Sequence, residues 1–406
     1  MCSPINCATR ERANTRFAPT NLWFSFRSPE KKSKNLRKPG AFIDFAFLFQ
    51  YFCAVFNAVR LQNDMKSSKS KRPTPLSERV IALFGSSSFK GRHILQRLEN
   101  DTRFKHIVVL DRKKPPIETH KTKFYKLDLT ETMADVRIAE IFKKEKVHTV
   151  IHAGIPITPP RNQGLSHEII SVGSMYICNA CVGAGVKKLI LSSTTDVYGA
   201  FPDNPNFLIE EAHTRGGIRN RFLADKIDAE RSALKMAKKH PQITVTILRP
   251  CHILGPTIQS YKTEYLSRPI ILTILGYDPL MQFVHEDDVI DSYMRVVEKD
   301  LHGVFNIVGQ GVLPLSRVIR ILGKIHLPLP QIIVKNLVQL LWYGDMSPAP
   351  ASYLNFLKYL CVADGHKARE EMKFVPKYST RETLLSFVGA ERLRGVDLLS
   401  PDMEPV

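Results

Sequence analysis

Cysteine is sparse in this chain, with seven residues in 406 and no closely set framework. That scarcity excludes a disulfide-stapled scaffold and fits a reducing compartment. Only Cys178 and Cys181 form a close pair, and no second Cys-x-x-Cys or Cys/His pair follows at zinc spacing. Lying among Ala, Gly and Val, the pair reads as small-residue packing in a helix, and no metal site is expected. Acidic residues are also few, 39 against 58 Lys and Arg, leaving a net charge of +19. Residues 1–64 contribute +6 of this (ten basic, four acidic), and the part from Met65 onward carries the remaining +13. A basic balance attracts nucleic acid, anionic lipid or phosphorylated ligands. No RNA-binding signature or zinc-finger spacing accompanies it, so nucleic acid is not the expected partner. A phosphate-bearing cofactor and an anionic small-molecule substrate suffice to use the charge.

Uninterrupted apolar sequence is lacking as well. The run from Ala41 to Val59 is broken by Asp44, Gln50 and Asn57. It barely reaches the ~20 residues of a bilayer span, and an internal Asp is costly at that depth. Three readings of residues 1–78 stay open. A signal anchor would carry the rest of the chain out of the cytoplasm. A cleaved signal peptide would need a shorter start than this one. The third reading starts translation at Met65, whose Lys-rich continuation looks like a solvated terminus. Membrane contact through residues 41–60 belongs to this extension. The unit from Met65 to Val406 is expected to be soluble and cytoplasmic, ending in a tail at 391–406.

The remaining sequence is rich in ordered motifs. Val80 to Phe84 is a short buried-type strand bounded by Gly85, and Ile94, Leu95 and Leu98 recur at helix spacing after Gly91. Strand, glycine turn and helix together present backbone N–H groups and a helix N-terminus to a pyrophosphate. The turn reads Gly85-Ser-Ser87-Ser88-Phe89-Lys-Gly91, with Ser88 where a middle glycine would stand. A second strand ends at Asp111, about twenty residues past Gly91, where an acid binds the ribose 2′-hydroxyl. A carboxylate there favours NAD, while the adjacent Arg112 keeps NADP open. A third strand runs into Asp128-Leu129, and a fourth ends in Ala153-Gly154, small residues at the carboxyl edge where ligands sit in open α/β sheets. The expected fold is α/β, a Rossmann-type doubly wound parallel sheet over residues 79–390. A smaller C-terminal substrate-binding region is expected mainly after residue 250.

Further along stand Ser192-Ser-Thr194-Thr-Asp-Val-Tyr198-Gly199, then Phe222-Leu-Ala-Asp-Lys226, then Arg249-Pro250-Cys-His252. In this order the motifs resemble an extended short-chain dehydrogenase/reductase of the NAD-dependent epimerase/dehydratase family, and the UDP-glucose 4-epimerase-like subgroup in particular. The resemblance spans roughly residues 80–390. It implies that Thr194 holds the substrate oxygen, that Lys226 bonds the nicotinamide ribose, and that Asp128 and Leu129 lie beside the adenine. It places Pro250 in the cofactor site and His252 near the substrate, and a homodimer fits it. It also implies a catalytic tyrosine at position 222, where this chain has Phe, which has no proton to give or take. Such epimerases often carry an Arg for the diphosphate near position 281, which is Met281 here.

Two functions follow. One is an NAD(P)-dependent epimerase/dehydratase-like enzyme acting on a sugar nucleotide or other hydroxylated substrate, with another base or a water taking the proton. The other is a non-catalytic cofactor-dependent binding or regulatory protein. A third reading, an RNA-associated protein, rests only on the charge and the Arg215–Arg221 loop. Arg215, Arg219 and Arg221 have no acidic residue beside them in sequence and are expected to bind an anionic substrate.

Overall fold

A computed structural model describes residues 75–394. The expectations for the apolar run, the Met65 start and the end of the tail lie outside the described residues. β1 (Val80–Phe84) leads through the glycine turn into α1 (Phe89–Asn100). β2 (Ile107–Asp111), β3 (Thr122–Lys126), α2 (Ala134–Glu145) and β4 (Val147–His152) follow. A helical stretch begins as α3 (Gln163–His167), passes a π turn at Glu168–Val172 and continues as α4 (Gly173–Ala184). Then come β5 (Lys188–Ser192), the long α5 (Arg221–Lys239), β6 (Thr244–Pro250) and β7 (His252–Leu254). α6 (Tyr261–Ser267), β8 (Ile270–Ile274), β9 (Leu280–Met281), β10 (Phe283–His285), α7 (Glu286–Glu298) and β11 (Gly303–Ile307) come next. The described part closes with β12 (Leu313–Pro314), α8 (Leu315–Leu322), β13 (Ile325–Leu329), α9 (Gln331–Tyr343), α10 (His366–Glu371) and α11 (Thr380–Arg394).

Seven strands make one parallel sheet in the order β11-β6-β5-β4-β1-β2-β3. The central strands are largely apolar, and β1 wholly so, because helices cover both faces. β1 makes this plain. Ala82 and Phe84 pack with Ile138, Phe142, Ile177 and Phe222 on one side. Ile81 and Leu83 pack with Ile94, Leu95, Val289 and Tyr293 on the other. The two-residue alternation of a strand therefore fills two cores. The strand order reverses between β1 and β4, which opens a crevice at their carboxyl ends. The expected doubly wound fold is the fold observed.

The chain after residue 250 divides between two layers. β11 pairs in parallel with β6, and α7 packs on the sheet, so both belong to the Rossmann layer. The smaller region consists of β7 with β10, β8 with β13 and β9 with β12, over a core including Leu254, Phe283, Leu315 and Phe387.

One buried ion pair fixes the floor of the sheet's edge. Arg249 in β6 donates through Nε to Glu230 Oε1 of α5 at 2.9 Å, and both side chains are buried. Arg249 also donates to the Tyr198 hydroxyl at 2.8 Å, which in turn donates to Asn306 at 2.8 Å. Glu230→Ala is expected to leave the guanidinium uncompensated and to cost ~3–5 kcal/mol, measured by denaturant unfolding. An unchanged midpoint would show that solvent reaches Arg249.

Candidate functional site

The glycine turn is tight for steric reasons. Gly85 has φ +79, and a Cβ there would sit 2.1 Å from the Gly154 Cα; a Cβ on Gly91 would sit 1.9 Å from the Gly85 carbonyl oxygen. The turn, the start of α1 and the end of β4 therefore touch through glycine. Ser88 holds them together. Its hydroxyl donates toward the Gly85 and Ala153 carbonyls at 2.7 and 3.1 Å and accepts from the Gly91 N–H at 3.1 Å. The serine at the middle position thus spends its hydroxyl on the turn rather than offering it to phosphate. The N–H groups of Phe89 and Lys90 remain without a partner among the described residues, since the first turn of a helix has none within the helix. They mark the anion-binding end of α1. The Phe89 ring itself packs against His93 with centroids 4.7 Å apart.

Asp111, at the carboxyl end of β2, closes over this turn. Its Oδ2 accepts from the Ser86 and Ser87 hydroxyls at 2.9 Å each and from the Ser87 N–H at 3.0 Å. Arg112 turns away to Asp128, Nε to Oδ2 3.2 Å, so these two neighbours of the turn satisfy each other. Leu129 packs where a Cβ on Gly173 would meet it at 3.2 Å. These contacts suit a dinucleotide. A diphosphate meets free N–H groups, and Asp111 can exchange the exposed Ser87 hydroxyl for a ribose hydroxyl.

Beyond the turn, the carboxyl ends of β5 and β6 and the start of α5 form a recess. Lys90, Ser193, Thr194, Asp196, Phe222, Lys226 and Pro250 line it. Asn220 caps α5 by accepting from the Leu223 N–H at 3.1 Å. Phe222 and Lys226, four residues apart, then share one helix face. The Lys226 amine lies 4.4 Å from the centre of the Phe222 ring and makes no hydrogen bond or ion pair among the described residues. Burial, and after it the charge of Lys90, lowers its pKa to about 7. Thr194 accepts from the Asp196 N–H at 3.3 Å, which leaves its own proton to donate into the recess. The Ser193 hydroxyl is buried there with no partner among the described residues.

Sequence reasoning missed several members of this site, of which two stand out. Lys90 is fully buried on α1, its amine bonded to the Ser192 hydroxyl, and burial lowers its pKa to about 8. A signal existed: Lys90, Ile94 and Leu98 fall at four-residue spacing on the buried face of α1. Asp196 is the other. Burial raises its pKa, but the charge of Lys262 and the bond from His252 outweigh this and hold it well below the usual carboxylate range. Lys262 Nζ lies 2.6 Å from Asp196 Oδ2, and the Tyr261 hydroxyl donates to the same oxygen at 3.1 Å. His252 Nε2 stands 3.5 Å from Oδ1. No spacing in the sequence announces a cluster drawn from β7, α6 and the segment after β5.

One expectation for the arginine loop is corrected, that Arg215 lacks an acidic partner. Arg215 is not free: it donates to Asp203 and Asn204 at 2.7 Å each and stacks 4.5 Å over the Phe201 ring. Its acidic partner lies twelve residues earlier and is brought back by the turn through Asn204. Arg219 (φ +127) and Arg221 line a cleft with Asn220, Trp342 and Ser352 that meets the recess at Phe222. Of the three arginines, Arg215 is thus paired locally, while Arg219 and Arg221 face a cleft. Two acids in the first turn of α7 also hold loops. Glu286 accepts from the Thr257 and Ile258 N–H groups, and Asp288 from those of Lys377 and Tyr378, so each pins a distant loop. Cys178 and Cys181 are buried in α4, where burial drives both thiols up. Among the described residues, no cluster of His, Cys, Asp and Glu could hold a metal, and no helix is long and apolar enough to cross a membrane.

The sheet order, the glycine turn and the recess at the strand ends define a dinucleotide-binding α/β protein. More specifically, the model of the NAD dependent epimerase/dehydratase family matches residues 81–308, and the chain belongs to that family. An uncharacterized protein of Mycobacterium tuberculosis is 29% identical over 338 residues, covering 82% of this chain and 87% of its own. The solved UDP-glucose 4-epimerase of Thermotoga maritima, with UDP-glucose, superposes with a TM-score of 0.59 at 19% identity, covering 78% of this chain and 99% of that one. The dTDP-glucose 4,6-dehydratase of Streptomyces venezuelae, with NAD bound, gives 0.60 at 17% identity, covering 79% and 99%.

Proposed function

We propose that this chain is an NAD-dependent enzyme that oxidises a hydroxyl of a small molecule, with Lys226 taking the proton in place of the missing tyrosine. One observation carries the reading: Thr194, Lys226 and the aromatic ring of Phe222 converge in a recess beside the turn through Gly85 and Gly91. Bound NAD supplies the hydride acceptor for the carbinol carbon. Thr194 donates a hydrogen bond to the substrate oxygen. Lys226, as a free amine, accepts the hydroxyl proton, so that the carbon–oxygen single bond becomes a carbonyl. Lys90 keeps Lys226 available for this role, because two ammonium groups in one buried recess repel each other. Relatives that act on UDP-glucose and dTDP-glucose make sugar nucleotides one candidate substrate class. The buried free thiols Cys178, Cys181 and Cys251 support a reducing compartment such as the cytoplasm.

Phe222 also favours a second reading, a cofactor-dependent binding protein with no turnover. Both readings require the cofactor. NADH is expected to bind more tightly than NADPH, because Asp111 repels a 2′-phosphate. Asp111→Ala should narrow that preference at least tenfold, in fluorescence titrations of both nucleotides. Equal affinities in the wild type would sink the assignment of Asp111.

A further inference from the structure

A second cavity, of about 160 Å³, adjoins the recess. The two share Tyr261 and Lys262 as a common wall. The rest of its lining is almost wholly apolar, with Leu266, Met281, Phe283, Val334, Leu341 and Leu354 among it. An engineered apolar cavity of ~150 Å³ stays dry and takes benzene, so a cavity of this size holds one end of a longer apolar chain.

The charged groups that reach this cavity are already committed, whereas the Tyr353 hydroxyl is buried with no hydrogen-bond partner among the described residues. Lys262 holds both oxygens of Asp196, at 2.9 and 2.6 Å. Arg268 donates to Glu264 at 3.0 Å and to the Met346 carbonyl at 2.6 Å. The Tyr265 hydroxyl donates to the Leu272 carbonyl and the Ser347 hydroxyl to the Ala349 carbonyl, each at 2.8 Å. Each cation has its own carboxylate, so the cavity is complementary to a ligand without charge. A nucleoside diphosphate entering it would bring two phosphates to a wall with no free cation, and desolvating them unpaired is costly. The roof points the same way. α9 turns Val334 inward, fully buried, and leaves Ile332 and Leu340 74% and 68% exposed on its outer side. A ligand passing this helix meets hydrocarbon both outside and inside.

We propose that this cavity binds the apolar body of a neutral amphiphilic alcohol and directs its hydroxyl across the Tyr261–Lys262 wall toward Thr194 and Lys226. The role of the hydroxyl rests on the oxidoreductase reading; the binding of the apolar body does not. Lys262 and Tyr261 shape the passage, and the ligand's fit is decided by the volume between α6, β8 and α9.

The test uses the full chain, tritiated farnesol as a probe alcohol, UDP-glucose as competitor, and NADH fluorescence as a separate readout. Farnesol is expected to bind saturably. Val334→Trp and Leu341→Trp fill the cavity from two positions, and each should weaken farnesol at least tenfold while NADH binding stays unchanged. UDP-glucose should not compete. The proposal is overturned if farnesol does not bind, if neither tryptophan variant affects it while NADH binding is retained, or if UDP-glucose displaces it. Should one variant fail to fold, shown by loss of NADH binding, the other decides. Farnesol binding in a wild-type chain that binds no NADH would uphold the cavity and refute the enzyme reading. NADH binding without farnesol binding would do the reverse.

Discussion

Lys226→Met is expected to lower NAD reduction ~10²–10⁴-fold, the usual contribution of general acid–base catalysis. The wild-type rate should rise with pH, with an inflection near the pKa of about 7 to which burial and Lys90 lower this amine. Below it the amine carries a proton and cannot accept another. Lys90→Met removes the repelling charge, so the inflection should move to higher pH without loss of the base. Stability supplies an independent check. Both lysines have folded pKa values, about 7 for Lys226 and about 8 for Lys90, below the ordinary 10.5. The unfolded chain therefore binds more protons between those limits, and stability should climb as pH rises from about 7 towards 10.5. Thermal melts across this range should show the climb, and each Met variant should flatten it. A pH-independent wild-type rate would assign the proton to another group.

Phe222→Tyr is expected to have the opposite effect. The ring already lies 4.4 Å from the Lys226 amine, so the substitution adds a hydroxyl beside a cation with little change in volume. A neighbouring positive charge favours the phenolate, and the new acid–base group should raise NAD reduction by ~10²–10⁴-fold. The panel should include UDP-glucose, dTDP-glucose and farnesol. NADH affinity should hardly move, because the glycine turn and Asp111 are untouched. The gain should vanish in the Phe222→Tyr, Lys226→Met double variant. If the tyrosine variant gains nothing on a substrate that the wild type already turns over well, Lys226 or a water suffices and position 222 is not rate-determining. If neither protein turns over any of the three while both bind NADH, the binding-protein reading takes precedence.

The local motifs were legible because they depend on few neighbours in sequence. Gly85, Gly91 and Gly154 are required where backbone meets backbone, and β1 reads as a buried strand because each face is covered. The i, i+4 spacing of Phe222 and Lys226 puts them on one helix face in any α-helix. Asp111 lies at a strand end because the apolar run of β2 stops there.

Tertiary structure alone decided which charges are spent and which remain available. Arg215 reads as a free cation in sequence, and a turn brings Asp203 to it. Ser88 reads as a stand-in for a middle glycine, and the approach of β4 gives its hydroxyl the Ala153 carbonyl as a partner. Lys90 reads as an ordinary helix lysine, and packing against β5 buries its amine beside Lys226. Lys262, Asp196 and His252 neutralise one another across 66 residues, which leaves the neighbouring cavity apolar. Backbone geometry is set by short-range sterics and periodicity, so sequence alone determined the frame. Charge pairing and desolvation depend on distances between residues far apart in the chain, so only the folded molecule determined the chemistry within it.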